Sequence, residues 1–238
     1  MYLFDSRIRY SEVDNNGRLT FPALVNYFQD CSTFQSEDLG MGLKYLSERN
    51  LVWVLSSWQI VVDRLPVLGE RVQIGTQPYE FKNFMGMRNF AMIAEDGSYL
   101  SKANSVWSLL NTETWKPALP PEEMKEAYKI CEKLDMEYAP RKITVPEGGN
   151  DREGIVIKKH HLDTNNHVNN GQYVDMAMEF LPADFEIRQM RAEYKMQTLI
   201  DDVLIPHVAE REGCVTVVLV DDAGRIHTTV EFTGETKI

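Results

Sequence analysis

The sequence predicts an α+β protein built of two tandem modules, each a long helix packed on an antiparallel β-sheet. Three observations predict it. A polar stretch, Val13-Asp14-Asn15-Asn16-Gly17-Arg18-Leu19, returns as Leu162-Asp163-Thr164-Asn165-Asn166-His167-Val168, at an offset of 149 residues (163 − 14). Each copy runs into apolar side chains at helical spacing: Leu24, Val25, Tyr27, Phe28, Cys31 and Phe34 in the first, and Tyr173, Val174, Met176, Ala177 and Phe180 in the second. Behind each helical segment come four segments rich in β-branched and aromatic residues, punctuated by turn residues. A repeat this long marks two copies of one module, not a solenoid of short units.

The elements follow in chain order. Phe4, Ser6, Ile8 and Tyr10 alternate as a strand does. After the Asp14 loop, Thr20 suits the N-cap of a helix, Pro22 its first turn and Gly40 its end. Strands are expected over 53–63, 71–81, 87–95 and 99–111, with a turn at Pro66-Val67-Leu68-Gly69 and a hairpin at Asp96-Gly97. Residues 1–121 form the first module. Residues 122–152 link it to the second, with a short charged helix over 122–133 and a polar stretch broken by Pro140, Pro146 and Gly148-Gly149. The second module, 153–238, repeats the pattern: a strand over 154–158, the Asp163 loop, a helix, and strands over 186–197, 203–210, 214–220 and 226–232.

Composition narrows the function. The chain has 238 residues, 43% of them hydrophobic, enough for a real core and against disorder. A net charge of −11 argues against nucleic acid as a partner. Cys31, Cys131 and Cys214 are odd in number and widely spaced, which suits buried thiols in a reducing, cytoplasmic setting. No basic-then-apolar leader opens the chain, and no apolar window is long enough for a membrane span.

The chemistry concentrates in Asp163, Asn165 and His167, an acid, an amide and a base within five residues at a helix start. Donors aimed at a developing oxyanion are worth a few kcal/mol each in a dry site, about 3–4 where measured. Backbone N–H groups at the helix start and the Asn165 amide are the expected donors. His167 is the expected base toward water, because imidazole exchanges protons near neutrality. Asp163 either orients His167 or the water, or attacks directly through a covalent intermediate. In the plainer reading, Asp163 and Asn165 only cap the helix. The first copy carries Arg18 where the second has His167, so one site keeps the chemistry and the other is structural. His160, His161 and His167 lack the spacing of a zinc pair, so no metal or cofactor is expected. His207 and His227 fall in strands and read as structural, and no G-x-S-x-G elbow occurs.

The order of elements resembles the hotdog fold. Leu162–Asn170 followed by Tyr173, Pro66-Val67-Leu68-Gly69-Glu70, Arg88-Asn89-Phe90, Ala103–Trp107 and Glu193-Tyr194 together resemble the acyl-ACP thioesterase family over nearly the whole chain. The resemblance implies two tandem hotdog modules and hydrolysis of the thioester between a fatty acid and acyl carrier protein. It also implies an internal pseudo-dimer, as a monomer or a homodimer, because single-module relatives dimerise. The family's acid, amide and base map onto Asp163, Asn165 and His167. Its downstream acid and cysteine fall on Gln197 and Thr198, a departure that removes a thiol nucleophile and a second base. Trp53, Trp58, Met85, Met87 and Trp107 are candidates to line the acyl chain in the first module, against ordinary core packing. Lys158, Lys159, Arg141 and Lys142 are candidates to meet an acidic carrier, or are simply a solvated face. Two rival activities remain: an acyl-CoA thioesterase, and an acyl-binding module without turnover. A hotdog hydratase motif would need proline at Asn166 and its histidine one place later.

Overall fold

The computed structural model describes residues 1–163 and 166–236. In chain order the elements are β1 (Tyr2–Arg7), α1 (Phe21–Asp38), α2 (Leu43–Glu48), β2 (Leu51–Val62), β3 (Arg71–Lys82), β4 (Met85–Ala94), β5 (Tyr99–Asn111) and α3 (Glu122–Ala127). There follow β6 (Asn150–Asp151), β7 (Ile155–Val156), α4 (Asn170–Met178), β8 (Phe185–Tyr194), β9 (Val203–Arg211), β10 (Cys214–Val220) and β11 (Ile226–Thr236). The chain divides into two compact units, residues 1–56 with 62–138, and residues 57–61 with 139–238.

In the first unit the strands run in the order β1-β3-β4-β5-β2. Helix α1 starts where the sequence places it. Thr20 Oγ1 accepts the Ala23 N–H at 3.4 Å, and Pro22 sits in the first turn. Its buried stripe is Leu24, Val25, Phe28 and Cys31, with the Phe28 ring 5.4 Å from that of Phe90 in β4. Phe34 leaves the stripe: it is half-exposed and packs edge-on against Phe4 of β1, at 5.4 Å.

In the second unit, residues 57–61 of β2 pair antiparallel with β8, followed by β11, β10 and β9, with the short β6 and β7 against β9. Helix α4 has nine residues against the eighteen of α1. It turns out of helical geometry before Phe180, ahead of Pro182, which disfavours a helical residue before it.

Two expected elements are shorter than their patterns. The helix expected over 122–133 stops at Ala127, because tertiary bonds claim the residues beyond. The Tyr128 hydroxyl donates to Ser36 at 2.6 Å, the Cys131 N–H to the Pro78 carbonyl at 2.9 Å and the Leu134 N–H to Asn89 Oδ1 at 3.1 Å. The strand expected over 154–158 is only Ile155–Val156, since the Lys158 N–H goes to His161 Nδ1 at 3.0 Å. Helix α2 had no expected counterpart. It begins where the Glu37 carboxylate accepts the Leu43 N–H at 2.8 Å.

Phe28 is fully buried on the helix face that carries the first core. Phe28→Ala is therefore expected to lower unfolding free energy by about 3–5 kcal/mol in urea titrations.

Candidate active site

The Asp163 loop is built by its own backbone. The Asp163 N–H donates to the His167 carbonyl at 2.8 Å, and the Asn166 N–H to the Asp163 carbonyl at 3.1 Å. Asp163 Oδ1 accepts the His167 N–H at 3.2 Å, so the carboxylate closes the turn it stands in. Leu162 bridges Val168, and the Asn169 N–H donates to the His161 carbonyl at 2.9 Å. Asn169 then caps α4, its Oδ1 accepting the Gly171 N–H at 2.8 Å.

Apart from the cap to Gly171, whose counterpart Pro22 has no N–H, each of these bonds recurs 149 residues earlier. The Asp14 N–H donates to the Arg18 carbonyl at 2.8 Å, and the Gly17 N–H to the Asp14 carbonyl at 3.0 Å. Asp14 Oδ1 accepts the Arg18 N–H at 2.9 Å, Val13 bridges Leu19, and the Thr20 N–H donates to the Glu12 carbonyl at 2.8 Å. The left-handed position is Gly17 in one copy (φ 72°) and Asn166 in the other (φ 59°), the two residue types that tolerate it best.

The loop therefore holds the half-buried Asp163 carboxyl and His167 at the start of a helix. Asn165, the amide of the trio, lies outside the described residues. Of the two departures from the family pattern, Gln197 is exposed and Thr198 is completely buried. The Thr198 hydroxyl accepts from the Tyr173 hydroxyl at 2.9 Å and stands 2.6 Å from His227 Nδ1. Its carbonyl accepts the Val168 N–H at 3.0 Å, directly behind His167. His227 Nε2 stands 3.5 Å from Asp221 Oδ2 without a hydrogen bond, while Arg225 Nε holds the same oxygen at 2.7 Å.

Burial pushes the Tyr173 phenol up to about 12; the Thr198 hydroxyl opposes this, and the Asp163 and Asp202 carboxylates add to it. Tyr173 is thus a hydrogen-bond donor across the working pH range. Burial alone would raise the Asp221 carboxyl, but the Arg225 N–H and guanidinium and His227 hold it below its ordinary value. In the sequence His227 reads as a structural strand residue, and Asp221 carries no signal. The only signal in the sequence was the departure at Thr198.

The acyl-lining candidates do not converge. Gly86 pairs with Trp107, and Trp53 lies against Gly86, so Trp53 and Trp107 share the face of β4 that carries Phe90 toward α1. Met85 and Met87 fall on the opposite face. Trp58 is buried and belongs to the second unit. The rings of His160 and His161 meet edge-on at 4.1 Å in a single turn, where alternation along a strand would have separated them. No cluster of three or more His, Cys, Asp or Glu suited to a metal occurs among the described residues.

Residues 2–128 match the description acyl-ACP thioesterase N-terminal domain, and residues 148–232 match acyl-ACP thioesterase C-terminal domain. The chloroplastic palmitoyl-acyl carrier protein thioesterase of Arabidopsis thaliana is 28% identical over 216 residues, covering 83% of this chain and 52% of that protein. The chloroplastic acyl-[acyl-carrier-protein] hydrolase FATB1 of Cuphea viscosissima is 26% identical over 217 residues, covering 83% and 51%. The chain spans about half the length of the curated relatives it matches. The crystal structure of an acyl-ACP thioesterase from Bacteroides thetaiotaomicron superposes with a TM-score of 0.89 at 27% identity, over 98% of this chain and 97% of that one. The 12:0-ACP thioesterase of Umbellularia californica shares the fold, with a TM-score of 0.85 at 22% identity over 100% and 98%.

Both loops lean on an aspartate side chain that accepts a main-chain N–H across the turn. Asp14→Ala and Asp163→Ala should each lower stability by about 1 kcal/mol in urea titrations, while the corresponding asparagine variants, which keep an acceptor, should lose much less.

Proposed function

We propose that this chain, which belongs to the acyl-ACP thioesterase family, hydrolyses the thioester of fatty acyl-ACP to free fatty acid and carrier protein. One observation carries the reading: the same hydrogen-bonded loop is built twice, and only the second copy places a base, His167, where the first has Arg18. The reaction is an addition followed by an elimination. Water attacks the carbonyl carbon, the oxyanion forms, the C–S bond breaks, and the carrier leaves as a thiol. In this reading His167 takes the proton from water and returns it to the leaving sulfur. Backbone N–H groups at the start of α4, with the Asn165 amide, receive the oxyanion.

For Asp163 the orienting role is favoured over direct attack. Its Oδ1 is engaged by the His167 N–H, which holds the carboxylate in the turn. Gln197 and Thr198 take no base or nucleophile role: one is an amide, and the other is a completely buried hydroxyl. The first module, proposed as 1–121 ahead of a 122–152 linker, receives the acyl chain. Trp53 and Trp107 are its best-supported lining residues, since they share one face. The second module, proposed as 153–238, carries the chemistry. The tandem modules are read as doing within one chain what two copies do in single-module hotdog proteins. No described helix is long and apolar enough to cross a membrane. Three free cysteines support a reducing compartment, read as the cytoplasm, with the free acid entering lipid metabolism.

The test is hydrolysis of a chain-length panel of acyl-ACPs, with matched acyl-CoAs, by wild type, Asp163→Asn and His167→Ala. Wild type should release free acid from acyl-ACP faster than from acyl-CoA. His167→Ala should lose about 100-fold or more of that rate, the usual weight of a positioned base. Preference for acyl-CoA would reassign the substrate. Binding of acyl-ACP without release would make the protein an acyl-binding module.

A further inference from the structure

The internal repeat shows which buried groups the fold needs and which belong to the second module alone. Equivalent positions are identified by shared main-chain bonds. Tyr173 corresponds to Leu24 at the offset of 149 (173 − 24). The Val168 N–H donates to the Thr198 carbonyl at 3.0 Å as the Leu19 N–H donates to the Pro66 carbonyl at 2.8 Å, so Thr198 corresponds to Pro66. The N–H groups of Lys195 and Met196 both donate to the His227 carbonyl, as those of Asp63 and Arg64 both donate to the Leu100 carbonyl, so His227 corresponds to Leu100. The Asp221 N–H donates to Arg225 in one hairpin as the Ala94 N–H donates to Ser98 in the other, so Asp221 corresponds to Ala94. The first module fills these four places with Leu24, Pro66, Leu100 and Ala94, all buried and apolar. The second fills them with Tyr173, Thr198, His227 and Asp221.

We propose that the chain Tyr173–Thr198–His227, buried, with Asp221 at its edge, is a positioning device for the loop that carries Asp163 and His167. The inference rests on the reading of the second module as the catalytic one. One assignment of protons serves the three inner members. The Tyr173 hydroxyl donates to Thr198 and Thr198 donates to His227 Nδ1, while His227 Nε2 stands 3.5 Å from the Asp221 carboxylate, which Arg225 holds, and makes no hydrogen bond there. The order Thr, His, Asp resembles a hydrolytic triad, but the Thr198 hydroxyl is completely buried and meets no substrate. Its action is through the main chain: the side chain fixes where the Thr198 carbonyl sits, and that carbonyl holds the Val168 N–H next to His167. Tyr173 grips the same threonine from the first turns of α4. The loop is thereby clamped from the sheet side and the helix side at once.

Fold stability alone does not ask for this. Replacing every partner of a buried polar group by apolar groups of similar shape is close to neutral or stabilising, and the first module is that replacement already made. Polar groups kept only in the copy that carries the histidine therefore serve its geometry.

The test is the triple variant Tyr173→Phe/Thr198→Val/His227→Leu, with Thr198→Ser beside it. Asp221 keeps its Arg225 partner in both. The triple variant should melt at or above the wild-type temperature. Its kcat should nevertheless fall by about tenfold to a hundredfold with KM little changed, the signature of a misplaced catalytic group. Amide exchange at Val168 and Asn169 should quicken. Thr198→Ser, which restores the hydroxyl, should keep both kcat and exchange near wild type. A triple variant with unaltered kcat and exchange overturns the proposal. So does one that fails to fold, because the network would then be what the fold requires. If wild type itself releases no acid from any acyl-ACP, the functional reading fails and exchange decides this inference: faster exchange at Val168 supports it, and unchanged exchange overturns it.

Discussion

A carboxylate that accepts a main-chain N–H inside its own turn organises the loop ahead of α4. A loop that presents reactive side chains has few neighbours to hold it, so its backbone must be satisfied internally or it will sample many conformations. Asp163 does this with one atom. Its Oδ1 takes the His167 N–H, while the peptide groups of residues 163 and 167 face each other across the turn. The turn then feeds Asn169, which caps α4. Loop and helix start are joined through that aspartate, and the Val168 N–H ties the loop to the Thr198 carbonyl.

Duplication explains why the second copy can tolerate an expensive interior. Burying a phenol, a hydroxyl and an imidazole gains little net stability even when all are hydrogen-bonded, and an incomplete network is worse than an apolar one. The first module shows the cheaper solution at the same four positions. It also carries Arg18 at the histidine position, a side chain that cannot shuttle a proton near neutrality. One copy is thus released to optimise packing while the other keeps the polar groups. The burial of Leu24, Leu100 and Ala94 against that of Tyr173 and His227 records the division.

What was legible in the sequence was local. The Asp14 and Asp163 turns, the Thr20 cap and the hairpin at Asp96-Gly97 depend on residues within a few positions of one another. Helix 122–133 failed because its continuation depended on Pro78 and Asn89, distant residues whose bonds outweigh weak helical propensity. The Thr198–His227 contact was hidden for the same reason. The residues are 29 positions apart and meet only because β8 pairs with β11. Asp163 and His167 stood out because turn and chemistry share one short stretch. The acyl-lining set was the least legible part, since the face of a strand residue follows from register: Met85 and Met87 sit across the sheet from Trp107 despite their proximity in sequence.

The departure at Gln197 and Thr198 then acquires a physical sense. The two adjacent residues point into different worlds, Gln197 into solvent and Thr198 into the interior. A thiol at Thr198 would be a weak partner for both the Tyr173 hydroxyl and His227 Nδ1, which need a compact oxygen that accepts one bond and donates the other. Threonine meets both needs and adds a methyl group to the packing. An exposed amide at Gln197 cannot take a proton. Losing the acid and the thiol does not leave a vacant mechanism. On the proposed reading, it concentrates proton transfer on one imidazole and makes the neighbouring position part of the scaffold that aims it.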